Sequence, residues 1–324
     1  MSYAKARTID VEEIPVIDIA PLFGEDSNGL RLVAEAMRDA AEGIGFFYIR
    51  NHGISSQLID DAQTVAHKFF AHPINDKLRL APRQHHRGFL QIGQAKMHQK
   101  ARPDLKESFI WGLDVADDDP DYLSGSRMIS PNQWPDFVPE MRPVLNAYFA
   151  AANECGRLLL RAFAVALDQA PDHFTAHFDK PVSRGSLVYY PAQPESAGER
   201  QFGVSPHTDY GVITILHQDL VGGLQVSNRR GEWLTAHPIE GTLVINVGDL
   251  LARWTNNRFQ STPHRVINSS GRERLAMAVF VDPNDETPIV PVVRDGEKSK
   301  YEATQCGAYI LGRYDKSFSY RQQG

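Results

Sequence analysis

The spacing of apolar residues changes about halfway along the chain. In the first half two periods alternate. "IPVIDI" (14–19) alternates apolar and polar positions, which predicts a strand. "GLRLVAEAMRDAAEGIG" (29–45) repeats at helical spacing and ends in glycine, a common helix stop. "FFYIRNHG" (46–53) is an aromatic and β-branched run closed by a turn. In "SSQLIDDAQTVAHKFFAHP" (55–73), Leu58, Ala62, Val65 and Phe69 share one helical face. Ser55 or Ser56 is placed to cap that helix, and Pro73 to end it. "MRPVLNAYFAAANECGRLLLRAFAVALD" (141–168) predicts a long buried helix.

From about residue 183 short strands follow one another between turns. They are "GSLVYYP", "GVITILHQD", "GGLQVSN", "EWLTAHP", "GTLVINVGDL", "STPHRVINS" and "RLAMAVFVDP". Such dense β-runs with glycine and proline between them predict a sandwich, barrel or jelly roll. No linker separates two domains, so 1–324 reads as one unit with helices packed outside a β-core.

Bulk properties narrow the function. A net charge of −6 disfavours non-specific nucleic-acid binding, which needs a positive field. The longest apolar run, "LLLRAFAVAL", carries Arg161 and is too short to span a bilayer. The first twenty residues hold no continuous apolar segment of the secretory kind. The only two cysteines, Cys155 and Cys306, form no disulfide framework and suit a reducing compartment. A cytoplasmic protein of enzyme size is the expectation, with neither nucleic acid nor membrane as partner.

The candidate chemistry lies in a repeated tripeptide. His-x-Asp occurs at His177–Asp179, His207–Asp209 and His217–Asp219. With 12 histidines in 324 residues, chance supplies about one such match, so the tripeptide alone selects none of the three. In a strand, residues i and i+2 share a face, so His207 and Asp209 would project together. His264, on a separate β-run, is a candidate third ligand. Two histidines and a carboxylate with open positions suit non-haem Fe(II), and also Zn(II). Arg274 falls on an apolar strand, where a guanidinium is costly unless paired. It can bind a carboxylate bidentately, or pair with an acid of the protein itself.

These residues carry a resemblance. "PHTDYG", "STPHRV" and "RERLAMAVF" resemble the isopenicillin N synthase-like branch of the Fe(II)- and 2-oxoglutarate-dependent dioxygenases. Fifty-four residues separate Asp209 from His264, and nine separate His264 from Arg274, as the family's pattern asks. "LVYYP", "VINVGDLLARWTNNRFQSTPHRV", "IPVIDI", "GFFYIRNHG", "RGF" and "DLKESF" extend the likeness along nearly the whole chain. The resemblance implies a mainly β protein with flanking helices and a double-stranded β-helix core of the jelly-roll, cupin-like kind. It implies an N-terminal α/β region near 10–120, a β-core near 181–285 and a C-terminal lid segment near 286–324. It implies His207, Asp209 and His264 as Fe(II) ligands, with Arg274 and Tyr190 toward 2-oxoglutarate. The implied reaction consumes O2 and 2-oxoglutarate, releases succinate and CO2, and oxidises a small molecule, most commonly by hydroxylation.

Two positions depart from the family. Its Arg-x-Ser motif ends here in Ala276, which removes one hydroxyl from the cosubstrate's carboxylate. The asparagine before its Tyr-Tyr is here Val188. Two rival readings stand beside the dioxygenase: an oxidase of the synthase type that uses no 2-oxoglutarate, against which the missing serine leans, and a non-catalytic β-barrel that only binds a ligand. Arg87 resembles the position that meets a substrate carboxylate in the synthase. Tyr314 and Phe318 are the apolar candidates in a closing C-terminal segment. "DVADDDPD" (114–121) reads as a solvated acidic loop, and Cys155 as a buried, inert thiol.

Overall fold

A computed structural model describes residues 7–8, 14–24, 26–82, 85–94, 103–193 and 201–317. The early strands are β1 (Arg7–Thr8), β2 (Val16–Asp18), β3 (Phe46–Arg50), β4 (Gly88–Leu90) and β5 (Glu107–Gly112). The later strands are β6 (Arg184–Tyr190), β7 (Val204–His207), β8 (Ile213–Gln218), β9 (Leu224–Ser227), β10 (Trp233–Thr235) and β11 (Thr242–Val247). They continue with β12 (His264–Val266), β13 (Arg274–Val281), β14 (Pro288–Ile289) and β15 (Thr304–Gln305). The helices are α1 (Ser27–Gly43), α2 (Ser56–Ala71), α3 (Ile74–Leu78), α4 (Pro120–Leu123), α5 (Met141–Ala166), α6 (Asp249–Trp254) and α7 (Cys306–Ser317).

An eight-stranded sheet runs β2-β3-β11-β8-β13-β6-β5-β4, and a five-stranded sheet runs β1-β10-β9-β12-β7. Strand alternation sorts the apolar residues of the large sheet into two clusters. On β13, Leu275, Met277, Val279 and Val281 join the core shared with α1, α2 and α5. Ala276 points the other way and joins Val188, Tyr190, Val204, Leu224 and Val266 between the two sheets. A sheet covered on both faces carries apolar residues at nearly every position, which is why "RLAMAVFV" shows no polar alternation. The jelly-roll expectation therefore holds.

Local chemistry sets the helix ends. Ser55, not Ser56, caps α2: its hydroxyl accepts from Leu58 N at 3.2 Å. Asp26 caps α1 by accepting from the backbone N–H groups of Asn28 and Gly29. In α5, Gly156 lets the helix sit on β13, since a Cβ there would lie 2.8 Å from Val281 Cγ1. Cys155 is buried beside it, and burial pushes its thiol up to about 12.

The acidic loop is a correction in part. Asp114 accepts from Asn132, Trp134, Arg142 and Asn146. Asp119 caps α4 and, with Asp121, receives Lys180. These carboxylates have structural partners, while Ala116, Asp117, Asp118, Pro120 and Asp121 remain exposed as a solvated loop asks.

Candidate metal centre and cosubstrate cavity

β7 and β12 are antiparallel neighbours, and their register sets His207 directly opposite His264. Residues so paired share a face, and the two imidazole centroids are 4.3 Å apart. Asp209 arrives differently from the expectation. β7 ends at His207, so no single strand carries both residues. The chain turns, and Asp209 O accepts from Asp249 N at 2.7 Å, tying the turn to the start of α6. Thr208 Oγ1 donates to Asp249 Oδ2 at 3.1 Å and braces the same turn. The turn puts Asp209 Oδ1 3.7 Å from Nε2 of both histidines. Ligand atoms of the three residues all lie within 4.8 Å of one another.

The surrounding bonds orient all three for a cation. His207 Nδ1 meets Ser205 O at 2.9 Å, and His264 Nδ1 meets Thr262 O at 3.2 Å. A carbonyl only accepts, so Nδ1 carries the proton and Nε2 presents its lone pair. Asp209 Oδ2 accepts from Thr214 Oγ1 at 2.5 Å and Asn246 Nδ2 at 2.8 Å, which leaves Oδ1 for a metal. Thr214 and Asn246 are themselves register partners on β8 and β11. Burial works against the Asp209 carboxylate, but His264, His207 and these two donors outweigh it and hold it below the usual range. Burial, helped by His264, drives His207 down to about 3, so it is neutral and ready to ligate at physiological pH.

The same cavity between the sheets is lined by His207, Asp209, His264, Tyr190, Arg274 and Ala276. Arg274 is 1% exposed. Its Nε donates to Gly222 O at 2.5 Å, while Nη1 and Nη2, shielded from solvent, have no partner. Its guanidinium lies 4.7 Å from the Tyr190 ring centroid. A buried guanidinium with two orphaned nitrogens is costly unless an anion completes it. Two neutral imidazoles, one carboxylate and that free fork are the parts of a non-haem iron oxygenase that takes an anionic cosubstrate.

Comparison with known proteins gives the same class. Residues 14–137 match the family described as non-haem dioxygenase in morphine synthesis N-terminal, and 185–283 match the 2OG-Fe(II) oxygenase superfamily. A 2-oxoglutarate-Fe(II) type oxidoreductase of Emericella nidulans is 33% identical, over 94% of this chain and 90% of that protein. A homoarginine-6-hydroxylase of Oryza sativa is 32% identical, over 95% of this chain and 98% of its own length. Among solved structures, a full-length Neurospora crassa protein in complex with alpha-KG and thymine superposes with a TM-score of 0.85 at 29% identity. That superposition covers 96% of this chain and 99% of the other. The chain belongs to the 2-oxoglutarate-Fe(II) oxygenase superfamily. It is an Fe(II)- and 2-oxoglutarate-dependent dioxygenase, an oxidoreductase that works with O2.

The other predicted residues fall elsewhere. His217 lies on β8 opposite Met277, and His177 ends a single 3₁₀ turn; neither belongs to the metal cluster. Arg87 does not line this cavity, although it feels the charge of Arg184, which does. Arg87 is buried, donates to Met128 O at 3.1 Å, and faces the carbonyls of His85 and His86. Tyr314, on α7, does not line the cavity; its ring covers the guanidinium of Arg184, which does. Phe318 lies outside the described residues. Among the described residues no helix is long and apolar enough to cross a membrane.

Sequence reasoning missed Lys106, Arg184, Thr214, Asn246 and Asp282. Strand pairing brings Arg184, Thr214 and Asn246 to the cavity, Lys106 enters from just before β5, and Asp282 lies just beyond β13 near the charge of Arg184, so spacing along the chain carried no signal. Asp282 gives a test. Burial raises its carboxyl from 3.8 to about 6, against the opposing N–H of Val212 and charge of Arg184. A raised folded-state value means that ionising Asp282 costs stability above pH 6, by about 3 kcal/mol, and nothing well below pH 4. Asp282→Asn keeps an acceptor for Val212 N and should raise the urea midpoint at pH 8 but hardly at pH 4. An equal gain at both pH values would refute the assignment.

Proposed function

We propose that His207, Asp209 and His264 hold Fe(II), that Arg274 receives the far carboxylate of 2-oxoglutarate, and that the enzyme hydroxylates a small organic substrate. The observation that carries this reading is the unpartnered Arg274 fork in the same buried cavity as the three ligands. Bound iron supplies the activation of O2 and the oxidising equivalent, coupled to conversion of 2-oxoglutarate to succinate and CO2. The chain's own residues do the rest. Thr214 and Asn246 fix the Asp209 carboxylate, and Ser205 O and Thr262 O fix the imidazole tautomers. Tyr190 packs against the Arg274 fork, and its buried ring helps hold the guanidinium in place.

The comparisons favour 2-oxoglutarate over the synthase-type alternative, since the relatives bear names of 2-oxoglutarate-Fe(II) oxidoreductases and the Neurospora crassa protein was solved with alpha-KG. Thymine in that Neurospora complex and homoarginine in the name of the rice protein support a small-molecule substrate. Adding 2-oxoglutarate to anaerobic Fe(II) protein should give a visible metal-to-ligand charge-transfer band. A metabolite screen that follows succinate release should then find the substrate. No band at millimolar 2-oxoglutarate, with substrate turnover in its absence, would favour the synthase-type reading.

A further inference from the structure

We infer that Arg184 and Lys106 form a second anion site, at the end of the cavity away from Arg274, that selects substrates bearing a carboxylate. The inference deepens the oxygenase reading and rests on it.

The pairing of β6 with β13 separates the two arginines. Arg274 pairs with Tyr190, and Arg184 pairs with Phe280 at the other end of the same ladder. Six residues of strand put those ends about 20 Å apart. Arg184, Ser186, Val188 and Tyr190 all face the cavity, as alternation requires. One molecule of 2-oxoglutarate with its far carboxylate on Arg274 cannot also reach Arg184. The second cation therefore has no task in binding the cosubstrate.

Arg184 is held ready for a ligand. Its guanidinium lies 4.4 Å from the Phe280 ring centroid and 4.7 Å from that of Tyr314. Two rings fix its position but satisfy none of its N–H groups. Nε and Nη1 are shielded from solvent and have no hydrogen-bond partner. Lys106 lines the same cavity; burial, with the repulsion of Arg184, lowers its pKa against the attraction of Asp104 and Asp209, so an anion beside it would favour its charged form. Each of those carboxylates has another engagement. Asp104 Oδ1 accepts from Ser205 N and Oγ, and Asp209 is committed to the metal cluster. Asp282 is the remaining neighbouring acid, and its Oδ1 accepts from Val212 N. Metal binding adds two positive charges beside Asp209, so the substrate end keeps an excess of cations. A carboxylate would take two N–H bonds from the Arg184 fork and a point charge from Lys106. The apolar walls at Ala278, Leu216 and Phe280 fit an uncharged body behind it.

The test uses Mn(II)-loaded protein with saturating 2-oxoglutarate, so that Arg274 is occupied. Calorimetry compares acids with their amides: phenylacetate with phenylacetamide, benzoate with benzamide, and hexanoate with hexanamide. At least one acid should bind about tenfold more tightly than its amide. Arg184→Met and Lys106→Met should each erase that preference while the anaerobic Fe(II)/2-oxoglutarate band persists, which also reports an intact fold. Arg184→Lys should keep part of it. If no acid outbinds its amide while the band is normal, the inference fails alone. The same holds if the preference survives both methionine substitutions. If the wild-type protein shows no band, the oxygenase reading fails and takes the inference with it.

Discussion

Asp209→Ala is expected to abolish tight Fe(II) binding, with a loss of well over the roughly 10–100-fold that removal of a supporting hydrogen bond costs. Asp209 is the cluster's one carboxylate, and its Oδ1 lies 3.7 Å from each of the two Nε2 atoms. Without it a dication faces two neutral ligands, and the orphaned Thr214 hydroxyl and Asn246 amide add about 1–3 kcal/mol each in lost stability. His207→Ala and His264→Ala should lose iron for the same geometric reason. Asn246→Ala leaves the ligand in place but unfixed, so it falls in the roughly 10–100-fold range. His177→Ala and His217→Ala should retain iron, because neither imidazole belongs to the cluster. Anaerobic Fe(II) titration, with circular dichroism to confirm the fold, checks the series. Iron lost from His217→Ala and kept by His207→Ala would reverse the choice among the three tripeptides.

The parts of the molecule that were legible in the sequence are those where one period dominates. α2 and α5 show a single apolar stripe, and β8, β11 and β13 are apolar runs long enough to identify as strands. The metal cluster was legible through its motif more than through its geometry. The i, i+2 argument placed His207 and Asp209 on one strand, whereas a turn beyond β7 brings them together. Local periodicity cannot express such a turn, because its shape is fixed by the bonds from Asp249 and Thr208 rather than by side-chain alternation. Arg87 shows the opposite limit. A basic residue in a basic loop gives no sign that it is buried and bonded to backbone carbonyls, as this one is. Arg184 carried no signal at all. A charge at the first residue of a strand is ordinary until the pairing with Phe280 and the ring of Tyr314 give it an address.

Arg274→Ala should weaken 2-oxoglutarate by one to two orders of magnitude. Charge-assisted hydrogen bonds are worth roughly 1.5–3 kcal/mol, and about 1.4 kcal/mol is tenfold. The Gly222 carbonyl already anchors Nε, so the two orphaned terminal nitrogens are the ones an incoming carboxylate completes. Lysine restores only part of the affinity: it supplies charge without the planar fork, and it cannot both hold Gly222 O and present two further donors. Ala276 faces the cavity two residues along the same strand, where the family pattern has a serine. Ala276→Ser returns a hydroxyl to that wall and tightens 2-oxoglutarate by up to about tenfold, the range of a neutral hydrogen bond of roughly 0.5–1.5 kcal/mol. The double substitution shows whether both positions act on one ligand. If serine strengthens binding less once Arg274 is gone, the two share the carboxylate, since the arginine orients the oxygen that the hydroxyl meets. An equal effect with and without Arg274 uncouples them. The affinities follow from titrating the charge-transfer band, with Fe(II) affinity as the control that the metal cluster is undisturbed. Unchanged 2-oxoglutarate affinity in Arg274→Ala would remove Arg274 as the clamp, and with it the assignment of this end of the cavity to the cosubstrate.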